Sequence, residues 1–297
     1  MPGQAGADGP GPPGGGPDPA TAAEPVCPRH PDRVAYVRCQ RCEQPVCPQC
    51  QRPAAVGVHC VSCVRAQPAV AARTVVGARA TSRPLVTQGL VGILAAVWLA
   101  QTVLPALTGW LGFVPAFSVV QPWRFLTMGL VHSPGLPLHL LLNGFALWVV
   151  GRETEAQLGR WRYVALLVLS TVASAVGVLW LTPTTSNSWF GLTVGASGAV
   201  FGLLGAAVAL NSRRGEPVLR QVGVLLVLAA AGLLLPSISW QGHVGGLVGG
   251  LLVGAVLVLA PRTRRTTWQL AGLGAVLVLL VALTVVRWAV VPVGVLA

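Results

Sequence analysis

Acidic residues are scarce in this chain: eight Asp and Glu stand against twenty basic residues in 297, and all twenty are arginine. No acid occurs between Leu85 and Gly151 or between Tyr163 and Leu210. Charged residues of either sign make up 9% of the sequence and hydrophobic ones 54%, with a mean hydropathy of +0.69. A soluble globular domain carries about 25% charged residues, so this composition excludes an ordinary one. Cysteine is absent after Cys63. The first 25 residues lack an apolar core, so no secretory signal is expected there. Met1 to Glu24 is rich in Gly, Pro and Ala and is expected to be a disordered tail.

Long apolar runs fill the remainder. A membrane-crossing helix needs about 20 apolar residues, and seven runs qualify: Leu85–Leu104, Pro134–Gly151, Tyr163–Leu181, Thr193–Asn211, Val218–Leu235, Gly242–Ala260 and Trp268–Val291. Tryptophans 161, 180, 189, 240, 268 and 288 mark their ends, as at a membrane–water interface. Arginine clusters follow the second, fourth and sixth runs, whereas the loops Thr182–Leu192 and Pro236–Gln241 carry no charge. The positive-inside rule then predicts a multi-pass protein with a cytoplasmic N-terminus and an extracellular C-terminus, most simply in the plasma membrane. The net charge of +12 is accounted for by these short loops and the pre-membrane segment, so nucleic acid is not an expected partner.

Four polar residues interrupt the runs: His139, Asn143, Ser197 and His243. With the second, fourth and sixth helices all running inward from outside, the four fall in the outer third of the bilayer. Ser197 is expected about 6 Å below the outer end of the fourth helix, at 1.5 Å per residue. Intramembrane polar groups carry a functional presumption, and a serine beside a base is the minimal nucleophilic pair for acyl transfer. Gly242, Gly246, Gly250 and Gly254 form one ridge on the sixth helix, and Gly198, Gly202 and Gly205 a face on the fourth. Small residues at this spacing let membrane helices touch closely, which would carry Ser197 and His243 towards each other. Without an acid in these runs a Ser-His-Asp triad is excluded and a dyad is expected. His139 and Asn143, four apart on one helix face, are candidate oxyanion donors; His132 is read as structural. A transporter would place ionisable residues along a path through the midplane, and none occur there.

The seven cysteines and one histidine fall into four pairs: Cys27-x-x-His30, Cys39-x-x-Cys42, Cys47-x-x-Cys50 and Cys60-x-x-Cys63. Two-residue gaps let both side chains of a pair face one tetrahedral zinc, so two structural zinc ions are expected. Disulfides would leave one cysteine odd and fit poorly with a cytoplasmic location. His59 adjoins Cys60 and is a substitute ligand to consider. The pattern resembles a cross-braced B-box finger, which implies that the first and third pairs share one metal and the second and fourth the other. Such a module is usually a handle for a protein partner, here a cytoplasmic one, and catalytic zinc is not expected.

The membrane residues resemble the rhomboid family of intramembrane serine proteases over roughly Leu85 to Ala260. The GxSG element is met by Gly195, Ser197 and Gly198, the GHxxG element by Gly242, His243 and Gly246, the HxxxN element by His139 and Asn143, and the first-loop Trp-Arg pair by Trp123 and Arg124. The resemblance implies an all-α membrane protein: a six-helix bundle plus a seventh C-terminal helix, hydrolysing transmembrane protein substrates through Ser197 and His243 without a catalytic cofactor. A tyrosine that often packs on the catalytic histidine is replaced by Phe201. The domain boundaries expected are tail 1–24, zinc module 25–66, basic linker 67–84 and membrane domain 85–292. The alternative is a catalytically inactive relative that binds transmembrane helices as a scaffold.

Overall fold

The computed structural model describes residues 24–66, 74–78, 83–215, 223 and 239–291. Nearly all of the expected tail, most of the linker and nearly all of the expected fifth helix, Val218–Leu235, lie outside the described residues. The chain divides into two units, Met1–Val70 and Ala71–Ala297.

The first unit has little hydrocarbon to bury. Strands β1 (Val26–Cys27) and β2 (His30–Val34) pair antiparallel, as do β3 (Gln51–Pro53) and β4 (Val58–Cys60), and helix α1 (Val61–Ala66) follows. The fully buried hydrophobic positions are Cys27, Ala35, Cys39, Val46, Cys47, Cys50 and Cys60. Only Ala35 and Val46 among these lack sulfur, so apolar burial alone cannot fix so small a fold.

The second unit is helical. Helix α2 spans Leu85–Val103, α3 Ala106–Leu111, α4 Arg124–Thr127, α5 Pro137–Ala146, α6 Arg152–Leu158, α7 Arg160–Leu181, α8 Ser197–Arg214, α9 Trp240–Leu259 and α10 Arg265–Val290. Four of these, α2, α7, α9 and α10, are long and apolar enough to cross a membrane. Helix α8 is enclosed instead: every residue from Gly198 to Ala206 is buried, as in a helix surrounded by protein.

Two expected boundaries shift. The second apolar run was expected to end at Gly151, where charge begins. In the structure a π-helical turn, Leu147–Gly151, joins α5 to α6, and the helical segment stops at Gly159, whose φ of 73° ends it. Charge does not stop it because Glu155 is inside the protein. Its carboxylate accepts the backbone N–H groups of Val86 (3.1 Å) and Thr87 (2.9 Å) and the Thr87 hydroxyl (2.9 Å). An acid is favourable at the N-terminus of α2, where backbone donors lack helical partners. The fourth run was expected to be helical from Thr193, but α8 begins at Ser197. The residues before it are not helical in register with it: Thr193 is bridged to Phe113 by two backbone hydrogen bonds of 2.8 Å, and Gly195 turns the chain at a φ of 125°. Ser197 is therefore the first helical residue, and the expected depth of one turn inside a helix is corrected.

The core of this unit is the contact among α7, α8 and α9. A Cβ on Gly246 would fall on the Gly198 carbonyl, and one on Gly250 on the Gly202 carbonyl, so α8 and α9 touch backbone to backbone. Helix α7 fills the remaining side with Ser170, Ser174 and Gly177, Ser174 lying against both Gly198 and Gly242. Helix α10 is tied across long separations. Trp288 Nε1 donates to Ser118 Oγ at 3.0 Å, and Arg287 donates to the carbonyls of Leu179 (3.1 Å) and Thr182 (3.4 Å).

Candidate active site and metal clusters

The segment entering α8 sets the geometry around Ser197. Gly195 N–H donates to the Met128 carbonyl at 3.0 Å, which ties this strand to the first loop. Gly195 itself has a φ of 125°, a conformation that only glycine adopts without strain. A side chain there is excluded a second time, because a Cβ would stand 2.8 Å from His139 Nε2 and 3.8 Å from Ser197 Oγ. Glycine at 195 thus serves two ends: it turns the chain sharply into the helix, and it lets the His139 ring approach the backbone beside Ser197. Since Ser197 opens α8, its backbone N–H belongs to the unsatisfied first turn and is free to face an anion.

His243 is held by stacking. The ring of Phe201, one turn after Ser197, lies parallel to the imidazole with centroids 4.1 Å apart and planes 12° from each other. Ser239 caps α9 just before it, accepting the Gly242 N–H at 3.4 Å. The close contact of α8 with α9 therefore brings His243 to the end of α8 that carries Ser197. The two side chains make no hydrogen bond to each other here; in unliganded enzymes such contacts are often long and tighten with substrate. On α5, Asn143 is buried and donates through Nδ2 to the His139 carbonyl at 2.9 Å.

His132, read as structural from the sequence, lies beside the candidate site. It is fully buried, its ring meets that of His139 edge-on at 5.1 Å, and its Nε2 accepts the Ala196 N–H at 3.4 Å. It therefore braces the residue before Ser197 and the ring beside it. No motif spacing marks it; a fully buried imidazole is visible only in the fold. Trp123 stacks on Trp110 (5.9 Å), and Arg124 donates to the Gln121 side chain and the Gly112 carbonyl, so this pair anchors the first loop.

The cysteine unit gathers its ligands in two groups: Cys27, His30, Cys47 and Cys50, then Cys39, Cys42, Cys60 and Cys63. Within each the candidate ligand atoms lie within 4.8 Å of one another. His59 is in neither. Tetrahedral zinc at its usual bond lengths sets sulfur atoms about 3.8 Å apart and nitrogen about 3.6 Å from sulfur. Here Cys42 Sγ is 3.7 Å from Cys60 Sγ, and His30 Nδ1 is 3.3 Å from Cys47 Sγ, 3.4 Å from Cys50 Sγ and 4.0 Å from Cys27 Sγ. Backbone donors already favour thiolates. The Cys27 thiol is held down at about 6, chiefly by the Cys47 backbone N–H. Burial pushes Cys39 up, but the N–H groups of Arg41, Cys60 and Cys42 bring it to about 6. Cys63 is pushed up to about 12, first by its hydrogen bonds with Cys42 and Cys60. Three or four thiolates crowded this closely repel one another without a cation, so both groups, one with three cysteines and His30 and one with four cysteines, fit a bound metal dication.

Comparison with known proteins bears on the membrane unit. Residues 119–260 match the Rhomboid domain, an interval that contains His132, His139, Asn143, Ser197, Phe201 and His243. The chain is 33% identical over 144 residues to the rhomboid protease GluP of Bacillus subtilis, covering 46% of this chain and 26% of that protein. It is 29% identical over 166 residues to the rhomboid protease AarA of Providencia stuartii, covering 48% and 58%. It is 28% identical over 174 residues to the rhomboid protease GlpG of Photorhabdus laumondii, covering 55% and 57%. The matches thus span between a quarter and three fifths of these relatives.

Proposed function

From the premise that this chain carries a rhomboid domain in residues 119–260, we propose that it is an intramembrane serine protease acting through a Ser197–His243 dyad. That domain and the four apolar helices make it a multi-pass membrane protein. The observation that carries the reading is the turn at Gly195. Its positive φ sets Ser197 at the mouth of α8, His139 lies against it, and Phe201 on the same helix holds the His243 imidazole.

In the proposed reaction Ser197 Oγ attacks the scissile carbonyl while His243 accepts the hydroxyl proton and then delivers it to the leaving amine. A water next enters, His243 takes its proton, and the acyl-enzyme is hydrolysed. The tetrahedral oxyanion is held by the Ser197 backbone N–H, the His139 ring and the Asn143 amide, donors set before the charge develops. No carboxylate orients the base; stacking on Phe201 does so. Substrates are membrane proteins whose transmembrane helix unwinds near the Ser197 end, and alternating arginine loops support a cytoplasmic N-terminus and a Ser197 end facing outward across the plasma membrane.

In the N-terminal module two zinc ions would be held by the two four-ligand groups described above, where they would supply folding stability. This module would present a cytoplasmic protein-binding handle. The missing hydrogen bond between Ser197 and His243 favours one second reading, an inactive scaffold that binds transmembrane helices. A fluorophosphonate probe separates the two: covalent labelling at Ser197, lost in His243→Ala, is expected of the protease, and absence of labelling in an intact, folded wild type defeats it.

A further inference from the structure

A cavity of about 400 Å³ opens in the membrane unit away from Ser197. Helix directions fix its place. Helix α7 runs antiparallel to α9, Gly177 lying against Gln241 and Gly245 while Ala173 lies against Gly249. The start of α7, the end of α9 and the start of α10 therefore meet at the end opposite the dyad, and this is where the cavity lies.

Arginine dominates its lining: Arg162 from the first turn of α7, Arg262 and Arg264 from the turn after α9, and Arg265 at the start of α10, with the hydroxyls of Thr266 and Thr267. None of the four arginines has an ion pair among the described residues, where the one ion pair is Arg33–Asp32. Arg162 is 6% exposed, and its Nε donates to Gln269 Oε1 at 2.8 Å, but its terminal nitrogens have no hydrogen bond among the described residues. Arg265 Nε is buried without a partner, while its Nη1 donates to the Val75 carbonyl at 3.1 Å. Arg162, the one buried member, stacks on the Trp161 ring at 4.3 Å but meets no anion among the described residues. That is costly for a buried guanidinium, and four cations facing one cavity repel. Helix α10 also starts with neither a side-chain cap nor an acid in its first turn, leaving donors that favour negative charge.

We infer that this cavity binds a phosphate-bearing anion, bridged by the guanidinium groups of Arg162, Arg262, Arg264 and Arg265. The planar forks of arginine match phosphate oxygens two at a time, and the lining offers donors without a carboxylate to repel the ligand. Two sources supply that chemistry, a lipid headgroup or free phosphate. The exposed Trp161 and Trp268 beside it set the cavity at headgroup depth, where basic pockets between helices meet anionic lipid. This site is independent of the hydrolytic reading.

The test uses the full-length protein in detergent, titrated with phosphatidylglycerol, with phosphatidylcholine, or with inorganic phosphate at constant ionic strength, read by native mass spectrometry and thermal unfolding. Arg262 and Arg264 are exposed, so R262Q/R264Q should fold, which circular dichroism checks; R152Q/R213Q is the charge-matched control. Phosphatidylglycerol should be retained over phosphatidylcholine, and roughly 10- to 30-fold more weakly by R262Q/R264Q, from two lost cations at an anionic surface. The control should match wild type. Stabilisation by inorganic phosphate that disappears in R262Q/R264Q, without lipid preference, supports the site and identifies free phosphate as its source. No response to either anion, or an equal response in both double variants, overturns it.

Discussion

In the cysteine unit the fully buried hydrocarbon amounts to Ala35 and Val46, beside two clusters of four side chains that could each hold a metal ion. In the α7–α8–α9 cluster the close contacts are made largely by residues with almost no side chain, Gly198, Gly202, Gly246 and Gly250. The cysteine unit has none of the interlocking large side chains that stabilise most domains, whereas the membrane unit sets its glycine contacts beside buried Tyr163, Leu166, Leu179, Leu203 and Leu257. With the metal its ligand groups fit, one would concentrate its stability in a few strong bonds to a removable ion. The other spreads it over many weak backbone contacts that admit no added atom. The first should therefore fail all at once when its ion leaves, the second by degrees as atoms are added.

The sharpest break between them is functional. Ser197→Ala and His243→Ala should each lower cleavage of a transmembrane reporter by about a millionfold, the scale on which serine proteases lose rate without nucleophile or base, and should leave both units folded. Turnover by Ser197→Ala at the wild-type rate would end the serine-protease reading. Metal removal comes next and acts on the other region only. Structural zinc is worth about 10 to 16 kcal/mol in small fingers, so a chelator should abolish the dispersed amide spectrum of a Pro25–Ala66 fragment, while protein lacking 1–66 keeps its hydrolytic rate. Acid should act in the same direction. Cys27 and Cys39 are lowered from the ordinary 9.0 to about 6, so the stability their thiolates contribute is full above pH 9 and lost as pH falls through about 6. A fragment equally well folded at pH 4 and pH 8 would contradict this.

Smaller effects probe the glycine contacts. Gly250→Val must push the Gly202 carbonyl aside and should cost about 1 to 3 kcal/mol or more, as overpacking does. Gly274 on α10 has open space around its Cβ position, so Gly274→Ala should stabilise by about 0.5 to 1 kcal/mol, the glycine-to-alanine gain in a helix. Equal thermal shifts in the two variants would erase the contrast. Smallest of all, Phe201→Ala should slow cleavage by roughly two- to tenfold, the worth of one aromatic pair, and Phe201→Tyr should restore the rate.

How much of this was legible in the sequence depended on the range of the signal. Ligand spacing is local, so the cysteine pairs could be read directly, and in the structure the first pair gathers with the third and the second with the fourth. The apolar runs located α2, α7, α9 and α10 to within a few residues. Run length could not mark the start of α8, because Val194 and Ala196 are apolar yet lie outside the helix; the break comes from the φ of Gly195. Nor could it extend the second helix through Glu155, whose partners lie 68 and 69 residues away. The glycine ridge on α9 predicted its contact with α8, but nothing in the pattern showed that Ser170 and Ser174 of α7 would complete it. The bond by which the His132 ring, read as structural, braces Ala196 was out of reach for the same reason: it crosses 64 residues.

Helix α10 has a consequence for the timing of biosynthesis. Its Trp288 reaches back 170 residues to Ser118, and Arg287 reaches back 108 to Leu179. Ser197 and His243 both precede Arg287 and Trp288 along the chain, so the segments that carry them are synthesised before either contact can form. The first loop, tied to the segment before Ser197 through Phe113 and Thr193, thus gains its bond from Trp288 only once α10 has been made. Nascent chains arrested after Ala260 should show the first loop cleaved by added protease, and full-length chains should resist. If so, the synthesis of α10 acts as a checkpoint on a membrane unit whose earlier helices are already made.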